Sequence, residues 1–218
     1  NKLDRWIGQD MIANLGKIDV IMNSVDLKHK KISIKSVNLV QPFFSQNDYE
    51  GKRPPAPNLQ EVIEKIPVLG AFKWNESGWE IKLDKLQMQD GAFKNDKYTI
   101  SAPYTDRFDG SHLLFTQING TMENLLFLRD TLTVNIALTA KERSGLEVKK
   151  LDSRMKLTPE LMEFNELDLM TNRGRVSNYF AMKNESLGED FSSLIHRVNR
   201  EASFKESTVC GDSLSIFG

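Results

Sequence analysis

Residues 132–140 read Leu-Thr-Val-Asn-Ile-Ala-Leu-Thr-Ala. Leu132, Val134, Ile136, Leu138 and Ala140 alternate with Thr133, Asn135, Ala137 and Thr139, which puts every bulky side chain on one face of an extended chain. That is a strand with one face against apolar neighbours and the other wet. Lys141–Gly145 is a polar turn signal, after which Leu146 and Val148, then Met155 and Leu157, resume the alternation until Thr158-Pro159 ends it. The stretch predicts a long hairpin. The same reading finds a second one nearer the start: Ile18, Val20 and Met22, a turn at 28–31, then Ile32 and Ile34.

A longer-range pattern links these strands. The spacing apolar-x-x-apolar-x-apolar occurs as Ile34/Val37/Leu39, Leu83/Leu86/Met88 and Phe164/Leu167/Leu169, each followed within a few residues by Pro42, Gly91 and Gly174 respectively. The extra residue between the first two apolar positions shifts parity, as a bulge does in a bent sheet. Two segments have helical spacing instead: Leu59, Val62, Ile63, Ile66, with Asn58 and Glu61 as a reciprocal cap and Pro67 as the stop, and Phe191, Leu194, Ile195, Val198, capped by Asp190. Residues 47–58, with Gly51, Pro54, Pro55 and Pro57, predict a surface loop. The fold class is therefore mainly β with a minor α component: a curved antiparallel sheet, groove or sandwich carrying two short amphipathic helices.

The 218 residues suffice to bury a substantial core. They are expected to form one body over 1–218, part of a longer repeating structure, divisible into 1–101 (hairpins and the first helix) and 102–218 (the long meander and the second). With 29 basic against 30 acidic side chains, interspersed, no footprint for nucleic acid exists. Cys210 stands alone, so no internal disulfide forms, and no stretch approaches the ~20 apolar residues of a membrane helix. The opening Asn1-Lys2-Leu3-Asp4 and the apolar end Ile216-Phe217 read as boundaries within a larger protein.

Familiar catalytic signatures are missing. His29, His112 and His196 are far apart and have no ligand-spaced partner. Carboxylate pairs such as Asp84 with Asp90, or Glu163 with Glu166 and Asp168, would suit glycoside hydrolysis, but they sit between apolar residues and so point to water. Trp6, Trp74 and Trp79 with Phe72 could stack on sugars in an adhesin-like or carbohydrate-binding β-sandwich, or serve as core and rim. No catalytic, cofactor or metal residue is nominated. The candidate functional surface is the apolar face of Ile32, Ile34, Leu132, Val134, Ile136 and Leu138, either a lipid-lined groove or a closed core covered by the helices.

Several runs, taken in order, resemble TamB-like translocation and assembly proteins of the AsmA superfamily: Asp130-Thr-Leu-Thr-Val-Asn-Ile, Lys141-Glu-Arg-Ser-Gly-Leu-Glu-Val-Lys-Lys-Leu, Leu167-Asp-Leu-Met-Thr, Met182-Lys, Asp190-Phe-Ser-Ser-Leu-Ile-His-Arg-Val and Phe204-Lys-Glu-Ser-Thr-Val. Upstream, Ile32-Ser-Ile-Lys-Ser-Val-Asn-Leu-Val-Gln-Pro and Leu83-Asp-Lys-Leu-Gln-Met-Gln-Asp-Gly-Ala-Phe are similar to that family's strand units. The resemblance implies a periplasmic β-groove in the cell envelope of a diderm bacterium, within a parent protein anchored in the inner membrane. It implies no enzyme activity and no cofactor. The expected partners are phospholipid acyl chains in the groove and, through parts of the parent outside this segment, a BamA-like outer-membrane barrel. The roles implied are phospholipid transport between membranes and outer-membrane protein assembly.

Overall fold

The computed structural model describes residues 6–51, 74–97, 108–183, 199–204 and 208–209. All regular structure among them is strand: β1 (Trp6–Asn14), β2 (Lys17–Asp26), β3 (Lys31–Val40), β4 (Phe43–Gly51), β5 (Glu80–Lys97), β6 (His112–Leu128), β7 (Thr131–Glu142), β8 (Glu147–Leu157), β9 (Leu161–Thr171), β10 (Gly174–Lys183), β11 (Asn199–Phe204) and β12 (Thr208–Val209). They form one open sheet in the order β1-β4-β5-β6-β7-β8-β9-β10-β11, with β12 on β10 and the β2–β3 pair alongside the first half of β5. The two helical segments, 59–66 and 191–198, lie outside the described residues.

Both predicted hairpins are present. β2 and β3 pair from Lys17↔Val40 to Asp26↔Lys31, and β7 and β8 from Leu132↔Leu157 to Lys141↔Glu147. Two features differ from the reading of the sequence. Residues 47–51 are not loop: they complete β4, which pairs with β1 on one side and β5 on the other. Gly51 and the prolines after it mark the end of a strand, and the turn signal hid the strand before it. The sheet is also not wholly antiparallel, since β3 and β4 both run parallel to β5. Parallel neighbours need a long return connection, and residues 52–79 supply it. That connection ends in a turn held by Asn75, whose Nδ2 donates to the Trp79 carbonyl (2.7 Å) and whose Oδ1 accepts from Trp79 N (2.8 Å).

The parallel pairing sets the first two copies of the apolar-x-x-apolar-x-apolar unit side by side: Ile34↔Leu83, Val37↔Leu86, Leu39↔Met88. The residues between the first two apolar positions, Lys35 and Asp84, drop out of the ladder together, and Asn124 of β6 sits opposite with φ +55°. A second line of breaks crosses the sheet at Gly16 between β1 and β2, Gln41-Pro42 between β3 and β4, Asp90 in β5, Gln117 in β6 and Lys149 in β8. Gln41, Asp90 and Gln117 take φ of 50–51°, the left-handed conformation of a bulge. Side chains stitch this line: Gln41 Nε2 donates to Asp90 Oδ2 (3.2 Å) and Asp90 N to Asn119 Oδ1 (2.9 Å). Bulges aligned on neighbouring strands bend the whole sheet rather than one strand. At Gly120 the bend brings β7 so close that a Cβ would lie 2.2 Å from the Ala137 carbonyl oxygen and 2.7 Å from Leu138 Cβ.

The parity shifts leave the two faces chemically distinct. Rows of apolar residues run across the concave face, one of them Ile32–Ile81–Phe127–Leu132–Leu157–Met162–Met182, each adjacent pair in register. The convex face carries cross-strand ion pairs, Lys85–Glu123 (3.4 Å) and Lys150–Asp168 (2.8 Å) among them.

Candidate functional site: an apolar trough

The nominated residues do share one face. Ile32 on β3 aligns through Ile81 and Phe127 with Leu132 on β7, and the row from Ile34 through Leu83 to Leu125 meets β7 at the register break beside Val134. Their environments differ, however. Val134 and Ile136 are buried at 2% and 6% exposure and act as packing, whereas Ile32, Ile34, Leu132 and Leu138 are only half-buried. Of the six, Leu138 alone lines the main concavity.

That concavity is an open trough of about 510 Å³ over β5–β10, and all twelve described residues lining it are apolar. Phe93 and Phe115 form one end, Leu138, Leu151 and Leu167 the floor, and Phe164, Phe180 and Met182 the far wall. The rings of Phe164 and Phe180 lie 6.3 Å apart, tilted by 35°. A shallow extension over Leu86, Met88 and Met122 shares Ile118 and Leu138 with it. The third copy of the repeat unit contributes all three of its apolar residues. Glu166, in the bulge between Phe164 and Leu167, has φ +53° and is unpaired with both β8 and β10, so those residues face the same way despite odd spacing.

Phe93, Phe115, Ile118 and Phe180 were missed in the sequence because no uninterrupted period surrounds them. In β6 the breaks at Gln117 and Asn124 change parity twice within one strand. The available signal was the repeat unit, which marks where parity changes in β3, β5 and β9.

The carboxylates considered for catalysis are engaged as structural groups. Asp84 accepts from Asn23 Nδ2 (3.2 Å), Asp90 from Gln41, Glu163 from the Tyr179 hydroxyl (3.1 Å), and Glu166 faces Arg154 (3.4 Å). Asp168 accepts from Arg175 Nε and Lys150 Nζ, both at 2.8 Å; the guanidinium first and the ammonium second hold its carboxyl below the usual range. His29 pairs with Asp26 through Nδ1 (2.6 Å), and His112 with Asp96 (3.3 Å). His196, Cys210 and Phe72 lie outside the described residues. Trp74 and Trp79 are half-buried at the turn into β5, away from the trough. Among the described residues no three or more of His, Cys, Asp and Glu gather as a metal site.

An open apolar trough of this volume can shelter hydrocarbon from water, at ~25 cal/mol per Å² of apolar surface covered, with nothing in its lining to react. Compared with protein-family models, curated proteins and solved structures, the chain matches none.

Proposed function

We propose that this chain is a non-catalytic segment of an envelope-spanning protein, and that its concave face binds phospholipid acyl chains during lipid transport between membranes, outer-membrane protein assembly, or both. The observation that carries the reading is the trough itself: about 510 Å³ with a wholly apolar lining, left open on a sheet whose opposite face is charged. A monomeric soluble domain ordinarily covers such a surface, so a contiguous apolar concavity marks a binding site. The bulge lines support the same reading, because they keep apolar residues on one face while curving the sheet around it. The TamB-like sequence runs add the cellular setting: periplasm, an inner-membrane anchor elsewhere in the parent, and a BamA-like barrel as a partner of other regions.

The test is lipid capture. Purified protein incubated with phosphatidylethanolamine/phosphatidylglycerol vesicles and examined by native mass spectrometry should carry phospholipid, and a photo-crosslinking amino acid at Leu151 should label acyl chains. Phe164→Asp combined with Phe180→Asp should abolish both signals. Absence of lipid from the unmodified protein, with no crosslink from Leu151, would remove the proposal.

A further inference from the structure

Among the described residues β2 pairs only with β3, so the other side of its backbone leaves donors and acceptors open along Lys17–Asp26. Its concave side chains are Ile18, Val20, Met22 and Val25, in register with Leu39, Val37, Ile34 and Ile32 of β3; its convex ones are Lys17, Asp19, Ile21, Ser24 and Asp26. Asn23 is in neither series. It drops out of the β2–β3 ladder, and its Nδ2 donates to Ser33 Oγ (3.3 Å) and Asp84 Oδ2 (3.2 Å). The five apolar side chains of the strand are 45–55% exposed.

With Asn23 left out of the ladder, the strand is complementary to itself. An antiparallel pair centred on Ile21 sets Ile21 against Ile21, Val20 against Met22, Asp19 against Ser24, Ile18 against Val25 and Lys17 against Asp26. Every apolar residue meets an apolar one on its own face. The single cation of the strand meets an anion, and symmetry makes that pair twice. Lys17 and Asp26 keep 65% and 45% of their side-chain surface open although Asp19 lies 2.8 Å from the first and His29 2.6 Å from the second. A slip of one residue would set aliphatic side chains of one face against those of the other.

We propose that β2 pairs antiparallel with β2 of a second copy of this chain, about a two-fold axis at Ile21, joining two open sheets into one. A self-complementary edge fits a two-fold partner, and an added strand fills the open ladder. The concave rows then run unbroken between copies: Ile32 and Val25 continue into the partner's Ile18 and the partner's Leu39, Ile34 and Met22 into the partner's Val20 and the partner's Val37. The pairing requires nothing of what the trough holds, so it stands or falls apart from the acyl-chain reading.

The test uses the full chain carrying Cys210→Ser and a short bismaleimide, across a range of protein concentrations followed by sedimentation. Ile21→Cys should link to itself, because directly opposed side chains stand about 5 Å apart. Lys17→Cys alone should not, its two copies lying roughly 26 Å apart along the pair. A mixture of Lys17→Cys and Asp26→Cys chains should yield the linked heterodimer. Without the linker, Lys17→Glu should raise the dissociation constant about fivefold, since it sets like charges opposite each other at both ends. High salt should narrow that difference. Association with no link at Ile21, self-linking by Lys17→Cys as readily as by Ile21→Cys, or a dissociation constant that Lys17→Glu leaves unchanged overturns the proposed pairing. So does a chain that stays monomeric at every concentration reached.

Discussion

Asp168 shows how single residues keep the convex face wet and ordered. Its carboxylate sits between Arg175 on β10 and Lys150 on β8, and Lys150 also reaches Asp152 at 3.0 Å, so one acid ties three strands. The hydrogen bonds it accepts from Arg175 and Lys150 depress its pKa below the ordinary carboxylate range, and those that Lys150 donates to Asp168, then to Asp152, raise the pKa of Lys150. A carboxylate whose folded pKa is depressed contributes stability that is complete above its unfolded pKa and vanishes as pH falls through the folded value. The stability difference between the unmodified protein and Asp168→Asn should therefore be constant above about pH 5 and shrink below about pH 4. Because the paired cations are largely solvated, the difference should be small and should diminish in 1 M salt. Urea midpoints measured from pH 2.5 to 7 check this; a difference that grows on acidification contradicts it.

At the scale of the element, β7 and β9 make opposite cases. β7 has a strict two-residue period, and so its strand, its hairpin and its inward face were all legible in residues 132–140. β9 reaches the same outcome with an extra residue: Phe164, Leu167 and Leu169 share a face because Glu166 is bulged out of both neighbouring ladders. Where the bulge carries the repeat spacing, the sequence reveals it; where it does not, as at Gln117 and Asn124 in β6, the strand's inward set is hidden. β4 was obscured by the glycine and prolines that follow it, and its parallel pairing with β5 depends on a distant return connection that no local pattern records. The contrast makes a deletion experiment informative. Removing Glu166 leaves Phe164-Asn165-Leu167-Asp168-Leu169 in plain alternation and in register with Ser153 and Asn178, so it should cost less than about 1 kcal/mol, partly offset by loss of a left-handed residue. Removing Asn135 from β7 sends Ile136 and Leu138 to the charged face, and at ~1.5–3 kcal/mol for each aliphatic side chain should cost more than about 3 kcal/mol. Urea unfolding of the two single-residue deletions decides it, and equal losses would show that the bulge is not what sets the face.

Seen whole, the described residues form an open sheet with one edge that none of them covers. Of the twelve large apolar residues that stand exposed among the described ones, nine fall between Met11 and Leu27, on β1, β2 and the turns that follow each. Ile18, Val20, Met22 and Val25 continue the rows of the concave face, in register with Leu39, Val37, Ile34 and Ile32, and each is 45–52% exposed. Ile21, on the convex side, is 55% exposed. Among the described residues β2 pairs only with β3, so its outer backbone groups form a free ladder. Edge strands that avoid association carry inward charges, proline or a short length; β2 is ten residues long and has no proline, and its concave-side residues are aliphatic or methionine. The edge is also continuous with the surface that forms the trough, so the property that suits the fold to hydrocarbon leaves this margin adhesive. The isolated chain should therefore associate with rising concentration, and Val20→Lys with Ile21→Lys should suppress that association. Stability should shift by no more than about 0.5 kcal/mol per substitution, because both side chains are already half exposed. Sedimentation velocity across a hundredfold concentration range reads the first effect and thermal unfolding the second. Lipid capture at Leu151 should survive in the double variant, since β2 does not line the trough; its loss would mean that the edge and the trough act as one surface.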